Sequence, residues 1–183
     1  MNNIELDNQS ILNFLRTKIR NIPDFPIPGI QYKDITPLLQ DAKALKYTTY
    51  LLTCPFQDKA IDKVASLESR GFLLGPSIAQ NLEAGFVPIR KEGKLPSETI
   101  STSYKLEYGY NTIEINKDAI EPGERVLIHD DLLATGGSVA AASKLISQLK
   151  GQVIGYSFII ELEELGGRQH LDEGALIERV HSL

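Results

Sequence analysis

A chain of 183 residues, 42% hydrophobic and 23% charged, is long enough to bury a substantial core and has the composition of a soluble globular domain. Its net charge of −5 argues against a nucleic-acid-binding face, and its single cysteine, Cys54, excludes an internal disulfide and suits a reducing compartment. No run approaches the ~20 apolar residues a membrane span needs, and no secretory signal is visible, so the cytoplasm is the expected location.

Asp7 or Asn8 can cap a first helix running to about Arg20, with Ile11, Leu12, Leu15 and Ile19 on one face. Pro23, Pro26 and Pro28 then forbid helix, and Gly29 allows a turn. Asp41 can cap a second helix, Ala42 to Thr53, ended by Pro55, and Cys54 reads as a small apolar residue. Lys63 to Leu67 reads as a short buried strand, Phe72 to Leu82 as a helix despite Gly75 and Pro76, and Phe86 to Ile89 as a strand. The polar stretch from Lys91 to Asn116, with Gly93, Pro96, Gly109 and alternation such as Ile113-Glu-Ile115, has the pattern of a β-flap. Arg125 to His129 reads as a strand, Ser138 to Leu149 as a helix and Gln152 to Ile160 as a strand. Alternating strands and helices predict an α/β fold, a mostly parallel sheet flanked by helices within a single domain. Ligands of such sheets sit beyond the carboxyl ends of the strands. That rule places the Ser69-Arg70, Arg90-Lys91 and Asp130-Asp131 loops along one edge.

The most informative string is Val126-Leu-Ile-His-Asp-Asp-Leu-Leu-Ala-Thr-Gly-Gly-Ser138. After Ala134, the residues Thr135, Gly136, Gly137 and Ser138 can aim backbone N–H groups and two hydroxyls at an anion, backed by a helix N-terminus. Asp130 and Asp131 would repel a phosphate, so they face something else: ribose hydroxyls or a magnesium ion. A phosphate on one side and a diol on the other describe a ribose 5-phosphate. The chain carries neither a G-x-x-x-x-G-K-[ST] nor a G-x-G-x-x-G motif.

This string resembles the phosphoribosyl-pyrophosphate (PRPP) motif of the type I phosphoribosyltransferases, and the resemblance runs from about Ile19 to Arg168. It implies that family's fold, with an N-terminal hood (residues 1–37) and a flap (residues 91–116). PRPP also carries a pyrophosphate, which needs its own cradle. Glu68-Ser69-Arg70-Gly71, between a predicted strand and helix, resembles the family's pyrophosphate loop, which often holds a cis peptide. Ser69 and Arg70 offer donors there, and Arg90, Lys91 and Lys94 add cations at the next strand end. Mg²⁺ is the implied cofactor, carried mainly by PRPP, with Glu68, Asp130 and Asp131 as helpers.

Three segments resemble the adenine phosphoribosyltransferases in particular. From Pro23 to Pro37 the chain matches a hood over the purine. The resemblance implies that Tyr32 stacks on adenine and that the Gln31 and Lys33 backbones bond its edge. An aromatic followed by arginine is commoner there than Tyr32-Lys33. The stretch Arg90 to Gly109 matches a closing flap whose glutamate, here Glu107, stands at the reacting centre, either stabilising the ribosyl cation or handling a purine proton. In Ile160 to Arg168, Leu162 matches the residue that packs on the base opposite Tyr32. Ser138 replaces a commoner threonine and keeps the hydroxyl. His129 replaces an apolar strand residue, and strand alternation points its side chain away from that of Asp130. His170 and His181 have no partners at ligand spacing, so no zinc site is expected.

The reaction implied is adenine plus PRPP giving AMP and pyrophosphate, a pentosyl transfer of purine salvage, by a homodimer without nucleic-acid or membrane partners. Rival readings are a phosphoribosyltransferase of hypoxanthine-guanine, xanthine or orotate, a PRPP-sensing regulator without turnover, and a phosphoribosyl-binding module. The Tyr32 hood and the Tyr104–Gly109 flap speak against another base. The retained Arg70, Arg90 and Glu107, with an acidic surface, speak against a regulator.

Overall fold

The computed structural model describes residues 7–105 and 109–183. The chain forms two compact units, divided between Leu51 and Leu52.

In the first unit, α1 (Asn8–Arg16) begins where expected. The Asp7 carboxylate accepts the Ser10 N–H at 3.0 Å and the Ser10 hydroxyl at 2.6 Å. The helix stops at Arg16, short of the expected Arg20, because Thr17 turns both its hydroxyl (2.7 Å) and its N–H (3.1 Å) back on the Phe14 carbonyl. Arg20 belongs instead to a strand, β1 (Arg20–Pro23), antiparallel to β2 (Gln31–Asp34). The prolines that forbid helix here are compatible with this short, two-stranded hairpin. Its loop has a cis Phe25–Pro26 bond, and the Asp24 carboxylate accepts the Gly29 N–H at 2.8 Å. A short α2 (Thr36–Gln40), also unexpected, carries Pro37 in its first turn, where the missing N–H costs nothing. Asp34 ties the hairpin to α2. It accepts the Thr36 N–H at 2.8 Å and pairs with Arg20 at 2.6 Å, and Thr36 and then Arg20 hold its carboxyl down at about 2. In α3 (Ala42–Thr53) the Asp41 carboxylate accepts the Lys43 and Ala44 N–H groups, both at 3.0 Å.

In the second unit Pro55 converts the chain to a 3-10 turn, Cys54–Lys59. Cys54 is exposed at its start rather than packed as a small apolar residue, because the turn lies at the surface. Then follow β3 (Lys63–Leu67), α4 (Gly75–Asn81), β4 (Gly85–Lys91), β5 (Thr99–Lys105), β6 (Tyr110–Asn116), β7 (Arg125–Leu133), α5 (Gly137–Gln148), β8 (Gln152–Glu161) and β9 (Leu176–Ser182). They build one sheet in the order β5-β6-β4-β3-β7-β8-β9. The run from β4 to β9 is parallel, and β6 and β5 add to it antiparallel as the flap. This is the mostly parallel α/β sheet the sequence predicts.

Two elements of this unit depart from expectation in their bounds by more than an end residue or two, and one strand is new. The predicted helix from Phe72 to Leu82 is a 3-10 turn, Arg70–Leu73, followed by α4, because Pro76 fits a helix only in its first turn. Strand β7 runs past His129 to Leu133, so Asp130 and Asp131 lie on the strand rather than in a loop; Asp130, Leu132 and Leu133 stay in register with Phe158, Ile160 and Glu161 of β8. Strand β9 was not anticipated: it is a half-buried edge strand rich in charged residues.

The core packs Val139, Ala142, Leu145 and Ile146 of α5 against Ala65, Leu67, Ile128 and Phe158 of the sheet. On the alternate positions, Ser66, His129 and Ser157 form a buried polar row in register across β3, β7 and β8. Among the described residues no helix is long and apolar enough to cross a membrane.

Candidate active site

The carboxyl ends of β3 and β7 meet through their charged residues. Arg70, in the turn after β3, donates its Nε to Asp131 Oδ2 at 2.5 Å, and its Nη2 forms an ion pair with the same oxygen. Asp131 is 4% exposed, so this guanidinium is its counter-charge in a poorly solvated place. Asp130 accepts the Asp131 N–H at 2.9 Å. Burial first, and then the neighbouring Asp131 charge, push the Asp130 carboxyl well above the usual carboxylate range. Gly71 packs directly on this corner: a Cβ there would lie 3.0 Å from the His129 carbonyl and 3.1 Å from Asp130 Oδ1. His129 is fully buried, with Nδ1 at 3.0 Å from both the carbonyl and the hydroxyl of Ser157. Burial drives its pKa down to about 4, so the imidazole is neutral and structural.

Just beyond β7, Ala134, Thr135, Gly136, Gly137 and Ser138 form a tight turn into α5. Gly136 is the N-cap with φ of 80°, and no side chain caps the helix there. A Cβ on Gly136 would collide with the Gly167 carbonyl, and one on Gly167 with the Ala134 carbonyl. The turn is thus braced by the backbone of Gly166-Gly167, and it opens the N-terminus of α5, the place in a helix where unpaired N–H groups can meet an anion. A Cβ on Gly137 would meet Tyr104 Cδ2 at 3.4 Å, so the outer end of β5 lies over this turn.

The second anion group centres on Glu68, Ser69, Arg90 and Lys91. The Glu68–Ser69 peptide is cis. Ser69 is exposed and Arg90 partly so. Glu68 accepts Arg90 Nε at 3.1 Å, Arg90 Nη2 at 3.3 Å and the Lys91 N–H at 3.1 Å. Burial alone would raise the pKa of Glu68, but Arg90 and the Lys91 N–H outweigh it and hold the carboxyl below its ordinary value. Arg90 also gives Nη1 to the Lys94 carbonyl at 3.0 Å. Both arginines expected to meet pyrophosphate are therefore held by carboxylates, Arg70 by Asp131 and Arg90 by Glu68.

Two carboxylates escaped the sequence reading. Glu114 on β6, 4% exposed, accepts the Lys94 and Leu95 N–H groups, both at 2.9 Å, and the Thr99 hydroxyl at 3.2 Å. Glu161 at the end of β8, 2% exposed, accepts Arg168 Nε at 2.5 Å and Nη2 at 2.7 Å, and pairs with Arg179 Nε at 2.8 Å. Glu161 immediately precedes Leu162, which is half-buried. No local motif marks either residue, because their partners lie on other strands and turns.

In the other unit, Gln31, Tyr32 and Lys33 lie on β2. Tyr32 is half-buried and packs edge-on against Phe25, with ring centroids 5.1 Å apart. Lys33 gives its Nζ to Asn21 Oδ1 at 2.8 Å, on the residue it faces across the hairpin. Glu107, the expected flap glutamate, lies outside the described residues. Among the described residues no cluster of three or more His, Cys, Asp or Glu could cage a metal. Glu68 and Asp131 are each engaged by an arginine. This donor set fits Mg²⁺ brought in on PRPP oxygens with its waters, needing at most one or two protein carboxylates such as Asp130.

The phosphoribosyl transferase domain family matches residues 31–172. The adenine phosphoribosyltransferase of Cyanothece sp. is 55% identical over 159 residues, covering 87% of this chain and 94% of its own. That of Dinoroseobacter shibae is 54% identical, covering 87% and 89%. The crystal structure of adenine phosphoribosyltransferase from Rhodothermus marinus superposes with a TM-score of 0.92 at 50% identity, over 96% of this chain and 99% of that one. The Saccharomyces cerevisiae enzyme, solved with an imino-altritol bisphosphate and adenine, superposes with a TM-score of 0.88 at 39% identity, over 94% and 99%. With this fold and these matches, the chain is a member of the type I phosphoribosyltransferase family. Within that family it belongs to the adenine phosphoribosyltransferases.

Proposed function

We propose that this protein transfers the 5-phosphoribosyl group of PRPP to N9 of adenine, giving AMP and pyrophosphate in purine salvage. The observation that carries the reading is the meeting of a backbone anion cradle, Ala134 to Ser138, with an acidic strand end, Asp130-Asp131, and a second, cationic anion group at Ser69, Arg70, Arg90 and Lys91. Adenine as the base is supported by the adenine phosphoribosyltransferases at 54% and 55% identity.

In this reading Ala134, Thr135, Gly136, Gly137 and Ser138 hold the 5-phosphate, and Asp130 and Asp131 take the ribose hydroxyls. Ser69, Arg70, Arg90 and Lys91 receive the pyrophosphate. Recognition of adenine is assigned to the Tyr32 ring, the Gln31 and Lys33 backbones and Leu162. Backbone groups suffice to tell a 6-amino from a 6-oxo purine, since a buried polar group left unpaired costs ~1–3 kcal/mol. The C1–O bond to pyrophosphate breaks, the bond from N9 to C1 forms on the opposite face, and adenine gives up its N9 proton. Glu107 is assigned to that centre, as stabiliser of the ribosyl cation or as proton acceptor. The protein's contribution is alignment and fixed charge. Mg²⁺ bound with PRPP would supply charge neutralisation on the leaving pyrophosphate.

To bind PRPP and then pyrophosphate, Arg70 and Arg90 exchange a carboxylate for an incoming phosphate oxygen, so the resting ion pairs hold the fork geometry ready. The flap would exclude water that could trap the ribosyl cation. The reading treats the whole chain as one catalytic domain, active as a homodimer. With one cysteine and no internal disulfide, it puts the reaction in the reducing cytoplasm. The test is to incubate the protein with PRPP, Mg²⁺ and each of adenine, hypoxanthine, guanine and orotate. AMP from adenine alone is the expected result. Turnover of another base overturns the base assignment, and PRPP binding without turnover of any base makes the protein a sensor.

A further inference from the structure

Glu114 on β6 and Arg90 on β4 stand directly opposite each other in the register of the sheet. Such neighbours commonly pair, yet each spends its bonds elsewhere. Arg90 turns to Glu68 and to the Lys94 carbonyl. Glu114, almost without solvent, accepts the Lys94 and Leu95 N–H groups on Oε1 and the Thr99 hydroxyl on Oε2. A buried carboxylate is costly unless donors meet it, and here both N–H donors come from the connection between β4 and β5, with the Thr99 hydroxyl at the first residue of β5. The two ends of that connection are tied separately, the Glu92 N–H to the Thr112 carbonyl at 3.1 Å and the Glu98 carbonyl to the Lys117 N–H at 3.0 Å, and Glu114 holds the stretch between them. Lys91, Glu92, Gly93 and Lys94 are exposed, Gly93 has φ of 79°, and the Lys94 N–H is shared only with the Lys91 carbonyl at 3.2 Å. A continuous path results: Glu68, Arg90, the Lys94 backbone, Glu114. It joins the turn after β3 to the second strand of the flap.

We infer that Glu114 is a positioning residue for pyrophosphate: by fixing the Lys94–Leu95 backbone it sets where the Lys94 carbonyl meets Arg90, and so aims Arg90, Lys91 and Lys94 at the leaving group of PRPP. The inference rests on the phosphoribosyltransferase reading above. It identifies Glu114 as acting through Arg90 rather than on the substrate.

Two variants separate geometry from charge. In Glu114→Gln the amide oxygen still accepts both N–H groups, and the amide nitrogen can donate to Thr99 Oγ1, so the turn keeps its shape. In Glu114→Ala the buried acceptors are gone. PRPP affinity is read by calorimetry, and the KM values for PRPP and adenine are read separately, on variants whose melting curves show a folded protein. For Glu114→Ala the PRPP Kd and KM should rise about tenfold, the scale of one lost buried acceptor, with the adenine KM within about twofold. Glu114→Gln should stay within about twofold of the parent on both. A folded Glu114→Ala variant with unchanged PRPP affinity overturns the inference. So does a parallel rise for both substrates, or a Glu114→Gln variant as impaired as Glu114→Ala. If Glu114→Ala does not fold, Glu114→Asp carries the test, since it withdraws the carboxylate by one methylene and should raise the PRPP constants selectively. Parent protein that binds no PRPP strikes the phosphoribosyltransferase reading itself, whereas binding and turnover with an indifferent Glu114 strike only this inference.

Discussion

The two anion sites proposed for this protein are built from opposite materials. The cradle at Ala134 to Ser138 is backbone: a left-handed glycine, an uncapped helix start and a neighbouring turn pressed so close that neither Gly136 nor Gly167 has room for a Cβ. The pyrophosphate side is made of long side chains already engaged, Arg70 with Asp131 and Arg90 with Glu68. The first is fixed before any ligand arrives and tolerates no added atom at Gly136 or Gly167. The second is a set of exchangeable ion pairs that a phosphate can enter by displacing a carboxylate. A group that stays bound through the reaction and a group that departs call for that difference.

The sharpest test of the backbone cradle is Gly136→Ala. Its Cβ would meet the Gly167 carbonyl, and its φ of 80° is left-handed, which costs an L-residue ~1–2 kcal/mol before any clash. The kcat/KM for PRPP should fall on the order of 100-fold. Gly137→Ala is the control: its nearest contact would be an ordinary 3.4 Å to Tyr104, so the loss should be only about threefold. Equal losses in steady-state kinetics would mean that the cradle is not backbone-limited.

The ion-paired side should respond through stability as well as activity. Arg70→Gln leaves Asp131, with 6% of its side chain exposed, without its guanidinium. Breaking a buried pair from one side costs ~3–5 kcal/mol, reduced here to about 2–3 because Arg70 itself is partly solvated. Urea denaturation should show that loss and its partial recovery in Arg70→Gln/Asp131→Asn, where no orphan charge remains. A double variant no more stable than the single would break the account of the pair. A smaller effect is expected at Glu68→Gln. Loosening Arg90 should make pyrophosphate about threefold stronger as a product inhibitor, in keeping with a solvated pair. Weaker inhibition would instead assign Glu68 to the metal-bearing pyrophosphate.

The same contrast decides what could be read from the sequence. The cradle is a contiguous string, and its chemistry follows from residue types at fixed spacing. Helix α3 was equally plain, because Asp41 and Pro55 bracket it. The ion pairs join residues far apart in sequence, 61 positions between Arg70 and Asp131 and 22 between Glu68 and Arg90. One sequence names the charges but not their partners, so Glu114 and Glu161 drew no role. Local propensity also misled where tertiary pairing overruled it. Aspartates are poor strand residues, yet Asp130 is carried along in β7 by its register with β8. The prolines around β1 and the charges along β9 hid two strands that lie where such residues are tolerated, in a two-stranded hairpin and at an edge.

The smallest predicted effect lies at the junction of the two sites, where His129 and Asp130 should tilt stability in opposite directions with pH. Unfolded histidine takes up a proton below its ordinary 6.5, whereas buried His129 stays neutral down to about 4. Between those values the unfolded chain binds more protons, so stability falls as the pH drops from 6.5 toward 4. Asp130 is the reverse. Its folded carboxyl keeps a proton above the ordinary 3.8, where the unfolded one has ionised, so stability falls as the pH rises through the window that opens there. Melting temperatures in a metal-free buffer series can separate the two. The His129→Leu variant should flatten the acid slope only. The Asp130→Asn variant, which keeps an oxygen for the Asp131 N–H, should gain on the parent progressively as the pH rises, while losing PRPP affinity at the ribose. A constant offset across the series would mean that Asp130 is an ordinary ionised carboxylate in the folded protein, and that the corner where β3 and β7 meet carries two full negative charges against the one cation of Arg70.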